Sequence, residues 1–311
     1  MTITQLEYII AVDTYRHFST AAEHCFVTQP TLSMQIQKLE DDMGVKIFDR
    51  SKQPVIPTEI GEEIIKQARV VVHEAKMIQQ MVKDRQGLLQ GELRIGIIPT
   101  LAPYLLPVFL QQFLSKYPDI KIRVKEMTTD HLVEKLKSGR IDAALMVTPI
   151  QDTSVIEYPL FYEELVAYVS KSNAAYKKTY VLPDDIDLKE LWLLEEGHCF
   201  RDQTMNLCEL QKQNKALSHF EYEAGSIETL RKMVELHHGI TILPEMATFD
   251  FNAKQLNMIR HFKAPAPVRE VSLVTHRNFI KKKLVDVLKE EIAATLPKKI
   301  LLNKKENVVK I

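Results

Sequence analysis

The sequence predicts two architectures in one chain: a small all-α unit that ends in a long helix, followed by a larger α/β unit of two lobes. Three observations carry that prediction. Apolar residues recur at helical spacing in short segments up to residue 43, and again in one long stretch over residues 59–88. From residue 91 onward, short apolar runs alternate with helical stretches, the texture of a parallel sheet wound with helices. A length of 311 residues suits two or three compact units.

Bulk properties exclude several classes. No apolar run reaches the ~18 residues that a membrane span requires. The first twelve residues carry Glu7 and no basic segment, so no signal peptide is expected and the protein should stay in the cytoplasm. Three cysteines (Cys25, Cys199 and Cys208) are too few for a secreted disulfide framework. The net charge is zero, and residues 1–90 hold six Lys and four Arg against five Asp and seven Glu. Charge does not advertise a nucleic-acid ligand, so pattern and local placement must carry any such claim. Lys298, Lys299, Lys304, Lys305 and Lys310 are expected to lie in a frayed, solvated terminus.

Leu6, Ile9 and Ile10 mark a first short helix. A second begins after Ser19, where Ala21, Ala22 and Cys25 give a closely packed face; Cys25 reads as a small core residue. Thr28 suits an N-cap and Pro30 the first turn of a third helix over residues 29–43, with Leu32, Ile36 and Leu39 inward. Two short helices joined by a turn at residues 26–28 have helix-turn-helix geometry. In such a motif Thr28, Gln29, Pro30, Thr31, Ser33, Met34 and Gln35 lie where base edges and phosphates are met, although a merely solvated polar face fits the same pattern. Val45, Ile47 and Phe48 then lead into a two-stranded wing, with Arg50, Lys52 and Thr58 near phosphate.

The runs Phe18-Ser19-Thr20-Ala21-Ala22, Thr28-Gln29-Pro30-Thr31-Leu32-Ser33, Leu39-Glu40, Gly44-Val45, Phe48-Asp49-Arg50 and Pro57-Thr58-Glu59-Ile60-Gly61 resemble the LysR-type transcriptional regulators. The resemblance spans the first 60 residues without a gap; Pro57 stands where the family usually has Leu, and the wing is sparsely basic. It implies a winged helix-turn-helix over residues 1–58 that binds double-stranded promoter DNA. It also implies a linker helix over 59–88 through which two chains pair, and a regulatory domain over 89–311. Positions 60, 64, 68, 71, 75, 78 and 82 independently form a heptad-like seam suited to a partner helix.

In the remaining two-thirds, strands are predicted at residues 93–98, 120–127 and 141–147, with helices at 103–117 and 131–137 between them. A second lobe begins near residues 160–170, with strands expected at 192–195, 220–223 and 239–243. The chain then returns to the first lobe with a strand at 268–275 and a helix over about 280–296. Lobe I therefore covers about 91–160 and 268–311, and lobe II about 161–267. Two lobes with two crossings resemble the periplasmic-binding-protein fold, which is also the LysR regulatory domain. Thr100 and Thr129 fall at strand carboxyl ends, where threonine is a helix cap or a ligand contact.

Cys199 is flanked by His198 and Arg201 near an expected helix amino terminus, all of which favour a thiolate; Asp202 opposes it. Three readings of Cys199 and Cys208 remain open on chemistry alone: structural thiols, a metal site with His198 and His219, or a peroxidatic and resolving pair. The run Gly197-His198-Cys199-Phe200-Arg201-Asp202-Gln203, with Cys208 following, resembles the peroxide-sensing members of the LysR type; Phe200 stands where Leu is common. That resemblance implies that Cys199 reacts with hydrogen peroxide and then pairs with Cys208. It places Thr100, Thr129, His198, Arg201, Asp202 and Arg269 around the peroxide. It further implies no cofactor and no enzymatic role, but a tetrameric activator of oxidative-stress genes that works with RNA polymerase. The alternatives are a regulator of a small organic effector with incidental cysteines, or a thiol peroxidase. If residues 199–208 are helical, the two α-carbons stand roughly 13 Å apart, well beyond the ~7 Å that a disulfide spans.

Overall fold

The computed structural model describes residues 1–85, 89–208, 224–277, 279, 281–301 and 306–309. The chain divides into two compact units, one of residues 1–88 with the short stretches 135–140 and 278–282, the other of residues 89–134, 141–277 and 283–311.

In the first unit, helices α1 (Ile3–Tyr15), α2 (Phe18–His24) and α3 (Gln29–Met43) precede a two-stranded antiparallel wing, β1 (Phe48–Asp49) and β2 (Ile56–Pro57), and helix α4 (Glu59–Arg85). Thr2 and Gln5 form a reciprocal capping box that starts α1. Leu6, Ile9 and Val12 of α1 pack with Ala21 and Ala22 of α2, and with Leu32, Ile36 and Leu39 of α3. Ile47 and Phe48 close that core from the wing side. The α3 bounds agree with the expected ones. Helix α2 begins at Phe18, slightly earlier than anticipated, because His17 caps it.

Helix α4 divides the predicted seam. Its inward face is Ile65, Ala68 and Val72, packed on the helical domain, so position 68 is internal. Ile60, Val71 and Ile78 remain exposed, and position 82 lies outside the described side chains. Gly61 permits the close approach of α4 to the wing, since a Cβ there would stand 2.0 Å from the Ile47 carbonyl oxygen.

The second unit is built on one mixed sheet, ordered β4-β3-β5-β10-β6-β9-β7, with β8 also pairing β6. Strands β3 (Gly91–Ile97), β4 (Ile120–Glu126) and β5 (Ala143–Thr148) run parallel, joined by α5 (Ala102–Lys116) and α6 (Thr129–Lys137). Strand β6 (Val155–Val169) crosses into the second lobe, which holds β7 (Tyr180–Val181), α7 (Cys199–Leu207), α8 (Ile227–Leu236), β8 (Ile240–Pro244), α9 (Ala253–Leu256) and β9 (Ile259–Phe262). Strand β10 (Val268–His276) returns antiparallel to both β5 and β6, and α10 (Lys282–Thr295) and α11 (Lys298–Leu301) follow.

Two expectations are corrected, one lies untested and one helix is new. Residues 192–195 form no strand; only isolated bridges join Leu191 to Ile240 and Leu194 to Ala224. The strand expected at 220–223 lies outside the described residues. Helix α8, which was not anticipated, follows a Ser226 N-cap and turns Ile227, Leu230 and Val234 inward. The chain end is also not frayed where it is described. Ile300 is fully buried, Lys299 pairs with Glu245, and Val309 joins the lobe II core. Lys304, Lys305 and Lys310 lie outside the described residues. No described helix is long and apolar enough to cross a membrane.

Candidate functional site

Cys199 is the first residue of α7, with His198 as N-cap, so its sulfur sits at the positive end of a helix. The thiol is nevertheless buried. Burial pushes its pKa up, and the carboxylate of Asp202 adds to that; the Thr129 hydroxyl, the Arg269 charge and the Phe200 backbone N–H oppose it. The resting group is therefore a thiol with the elements of thiolate stabilisation already around it.

Arg269 projects from β10 and is fully buried. Its Nε donates to Glu163 Oε2 at 2.8 Å and its Nη2 lies 2.7 Å from the same oxygen. Glu163 Oε1 accepts the Met246 backbone N–H at 2.8 Å, which completes the carboxylate's anchoring. The opposite edge of the guanidinium donates to Thr100, from Nη1 to Oγ1 at 3.3 Å and from Nη2 to the carbonyl at 3.2 Å. Its Cζ stands 5.4 Å from the Phe200 ring centroid, next in sequence to Cys199.

Neither threonine is a helix cap. Leu101 precedes α5, and Thr100 instead receives Arg269. Thr128 precedes α6 and its hydroxyl meets the His131 ring at 2.8 Å, whereas Thr129 Oγ1, in the first turn, is buried beside the Cys199 thiol. That hydroxyl faces the Cys199 thiol and, by donating toward the sulfur, holds the thiol pKa down. Arg201 turns away, donating to the Leu194 carbonyl at 2.7 Å. His198 Nε2 lies 3.5 Å from Glu195, and Asp202 is exposed. Of the six predicted neighbours, Thr129, Arg269 and Asp202 act on the thiol, and Thr100 holds Arg269 in place. Sequence reasoning missed Glu163, whose partner is 106 residues away.

Cys208 is the C-cap of α7, buried in the lobe II core, and burial pushes its thiol up to about 12. All three cysteines are free. With α7 helical from Cys199 to Leu207, the α-carbons of Cys199 and Cys208 are separated by roughly 13 Å. No group of three or more His, Cys, Asp or Glu side chains poised for a metal occurs among the described residues, and His219 is not one of them.

On α3, Thr28, Gln29, Pro30, Thr31 and Met34 are exposed, with the Thr28 and Thr31 hydroxyls 2.8 Å apart. Gln35 is half-buried and its side-chain carbonyl accepts from Gln5 at 3.3 Å. Arg50 donates to Ser33 Oγ at 3.1 Å and to buried Glu40 at 3.3 Å, and covers the Phe18 ring. Lys52 is exposed in the wing. Thr58 donates to the Lys46 carbonyl and accepts the Gly61 N–H, so its hydroxyl is committed to starting α4.

A helix-turn-helix unit joined to a two-lobed α/β unit defines a class of DNA-binding regulators with an attached sensing domain. Residues 3–62 match the bacterial regulatory helix-turn-helix protein, lysR family, and residues 86–297 match the LysR substrate binding domain. The chain belongs to the LysR family. It is 36% identical over 274 residues to a hydrogen peroxide-inducible genes activator of Haemophilus influenzae, covering 88% of this chain and 90% of that one. Full-length OxyR of Pseudomonas aeruginosa, bearing a cysteine-to-aspartate substitution, superposes with a TM-score of 0.80 at 34% identity, over 95% of this chain and 99% of that one. A cysteine variant of Corynebacterium glutamicum OxyR with hydrogen peroxide bound gives a TM-score of 0.64 at 27% identity, over 99% and 98% of the two chains.

Proposed function

We propose that this chain is a peroxide-responsive transcriptional regulator whose input is Cys199. One observation carries the reading: Cys199 opens a helix beside a fully buried arginine and a threonine hydroxyl that both favour its thiolate, with a second thiol at the other end of that helix. The Cys199 thiolate attacks one oxygen of hydrogen peroxide, the O–O bond breaks, and the departing hydroxide takes a proton and leaves as water. Thr129 donates to the peroxide, Arg269 carries the developing negative charge, and Thr100 keeps the guanidinium in position. The sulfenic acid condenses with the Cys208 thiol, forming the S–S bond and releasing a second water.

Because the α-carbons of residues 199 and 208 begin too far apart for a disulfide, α7 has to unwind before the bond closes. Covalent oxidation thereby becomes a conformational signal. On the output side, Gln29, Thr31 and the wing meet double-stranded promoter DNA. Two chains pair through the exposed Ile60, Val71 and Ile78 face of α4, and pairs of dimers form the tetramer. RNA polymerase is the downstream partner, the cytoplasm the place of action, and regulation rather than turnover the role.

Mass spectrometry after one equivalent of peroxide tests the input. A 199–208 disulfide in the wild type, and peroxide-insensitive DNA footprints for Cys199→Ser, are expected. Intact thiols together with an unchanged footprint would point instead to a small organic effector. Rapid multiple turnover with a thiol reductant would make the chain a peroxidase.

A further inference from the structure

Four residues near the chain end are built into the sensing region. Val308 bridges to Val268 in parallel register, the Val268 N–H donates to the Asn307 carbonyl at 3.1 Å, and the Val309 N–H donates to the Val268 carbonyl at 2.9 Å. Asn307 Nδ2 donates to the Pro265 carbonyl at 2.9 Å. The Val309 side chain belongs to the core cluster that contains Phe200 and Cys208. From the other flank, Gln203 Nε2 of α7 donates to the Val309 carbonyl at 3.0 Å. The segment is therefore clasped between the start of β10, one residue from Arg269, and the middle of α7.

Gln203 lies between the two cysteines, on the turn of helix that has to unwind for them to meet. Its side chain is fully buried, yet its Oε1 has no hydrogen-bond partner among the described residues. A buried amide with one end satisfied and the other orphaned costs stability that water would restore. We infer that residues 306–309 form a strap latched to the sensing helix by Gln203, and that closure of the 199–208 disulfide releases it. The release rests on the disulfide chemistry proposed above; the latch rests on the hydrogen bonds alone. Unwinding α7 carries Gln203 off Val309, opens its side-chain oxygen to water, and leaves the strap with its bonds to Val268 and Pro265 and the core packing of Val309. By linkage, the strap in turn resists unwinding.

Hydrogen exchange on the full-length chain, read by mass spectrometry on peptides spanning 306–311, tests both parts. In wild-type protein given one equivalent of hydrogen peroxide, the Val309 amide should exchange at least about tenfold faster, the scale of one net hydrogen bond lost. The same sample must show the loss of two hydrogens that reports the disulfide. A disulfide with unchanged exchange overturns the release. Absence of the disulfide overturns the sensing chemistry and the release with it. Gln203→Leu in the reduced state should accelerate the same amide without any oxidant, and unchanged exchange there overturns the latch. Deleting 306–311 gives an independent reading: the sulfenic acid should convert to the disulfide several-fold faster, and an unchanged conversion rate overturns the restraint.

Discussion

Replacing Arg269 by Met removes one partner of an ion pair whose side chains are both 0% exposed. Glu163 then keeps the Met246 N–H but loses both guanidinium contacts, at 2.8 and 2.7 Å. Stranding a buried carboxylate in this way costs about 3–5 kcal/mol. With a urea slope of about 2 kcal/mol per molar, the unfolding midpoint of the regulatory unit should fall by roughly 1.5–2.5 M. Trp192, the single tryptophan, lies in that unit and reports its unfolding by fluorescence. The double variant Arg269→Met, Glu163→Gln has no stranded charge and keeps an acceptor for Met246, so it should recover at least half of the loss. A single variant that costs less than about 1 kcal/mol, or a double variant no more stable than the single one, would refute the account of the pair as a fully desolvated charge clamp.

Glu40 offers a parallel case in the DNA-binding unit. Its buried carboxylate accepts the Ile47 and Phe48 N–H groups and meets Arg50, so Glu40→Ala should cost several kcal/mol and weaken DNA binding in gel-shift titrations. Gly61→Ala drives a methyl into the Ile47 carbonyl and should lower the thermal midpoint of that unit by several degrees, read by far-ultraviolet circular dichroism. The Cys208 thiol is held in its neutral form by burial, with its pKa pushed up to about 12. Stability from that group is complete below the unfolded thiol value near 8.5 and is lost as pH rises toward 12. Reduced wild-type protein should therefore lose thermal stability over that window more steeply than Cys208→Ala, and parallel curves would contradict the burial. Because burial also raises the Cys199 thiol, its alkylation rate should keep climbing with pH beyond the range of an exposed cysteine; a plateau at pH 7 would contradict that direction.

What could be read from the sequence was what is local. The third helix was legible at both ends because Thr28, Pro30 and Gly44 are positional signals, and the core positions 32, 36 and 39 follow from helical spacing. The cysteine helix was legible for the same reason. The pairing of Arg269 with Glu163 and of Gln203 with Val309 depends on contacts across 106 residues, which no spacing rule encodes. Arg201 was expected to serve the thiol from its adjacency and from the resemblance, yet the local turn directs it to the Leu194 carbonyl. Residues 192–195 have the composition of a strand, but only isolated bridges join that stretch to its neighbours. Helix α8 did carry a usable signal, since Ser226 and the apolar spacing 227, 230 and 234 mark it, and it was passed over. Part of the α4 seam, Ile64 and Ala68, proved internal because a single periodicity serves both an intramolecular face and an outward one.

Strand β6 has a mechanical consequence. Its first ten residues lie against β10 and its last five against β8, so one fifteen-residue beam, roughly 50 Å long, runs through both lobes. A clamshell that shuts on its cargo needs a slender joint, and a shared beam braced along most of its length is a poor one. A stimulus of two oxygen atoms would in any case be too small to hold two jaws together. If Cys199 and Cys208 pair as proposed, the moving part is a single short helix set against that beam, and the energy that moves it comes from a covalent bond rather than from grip.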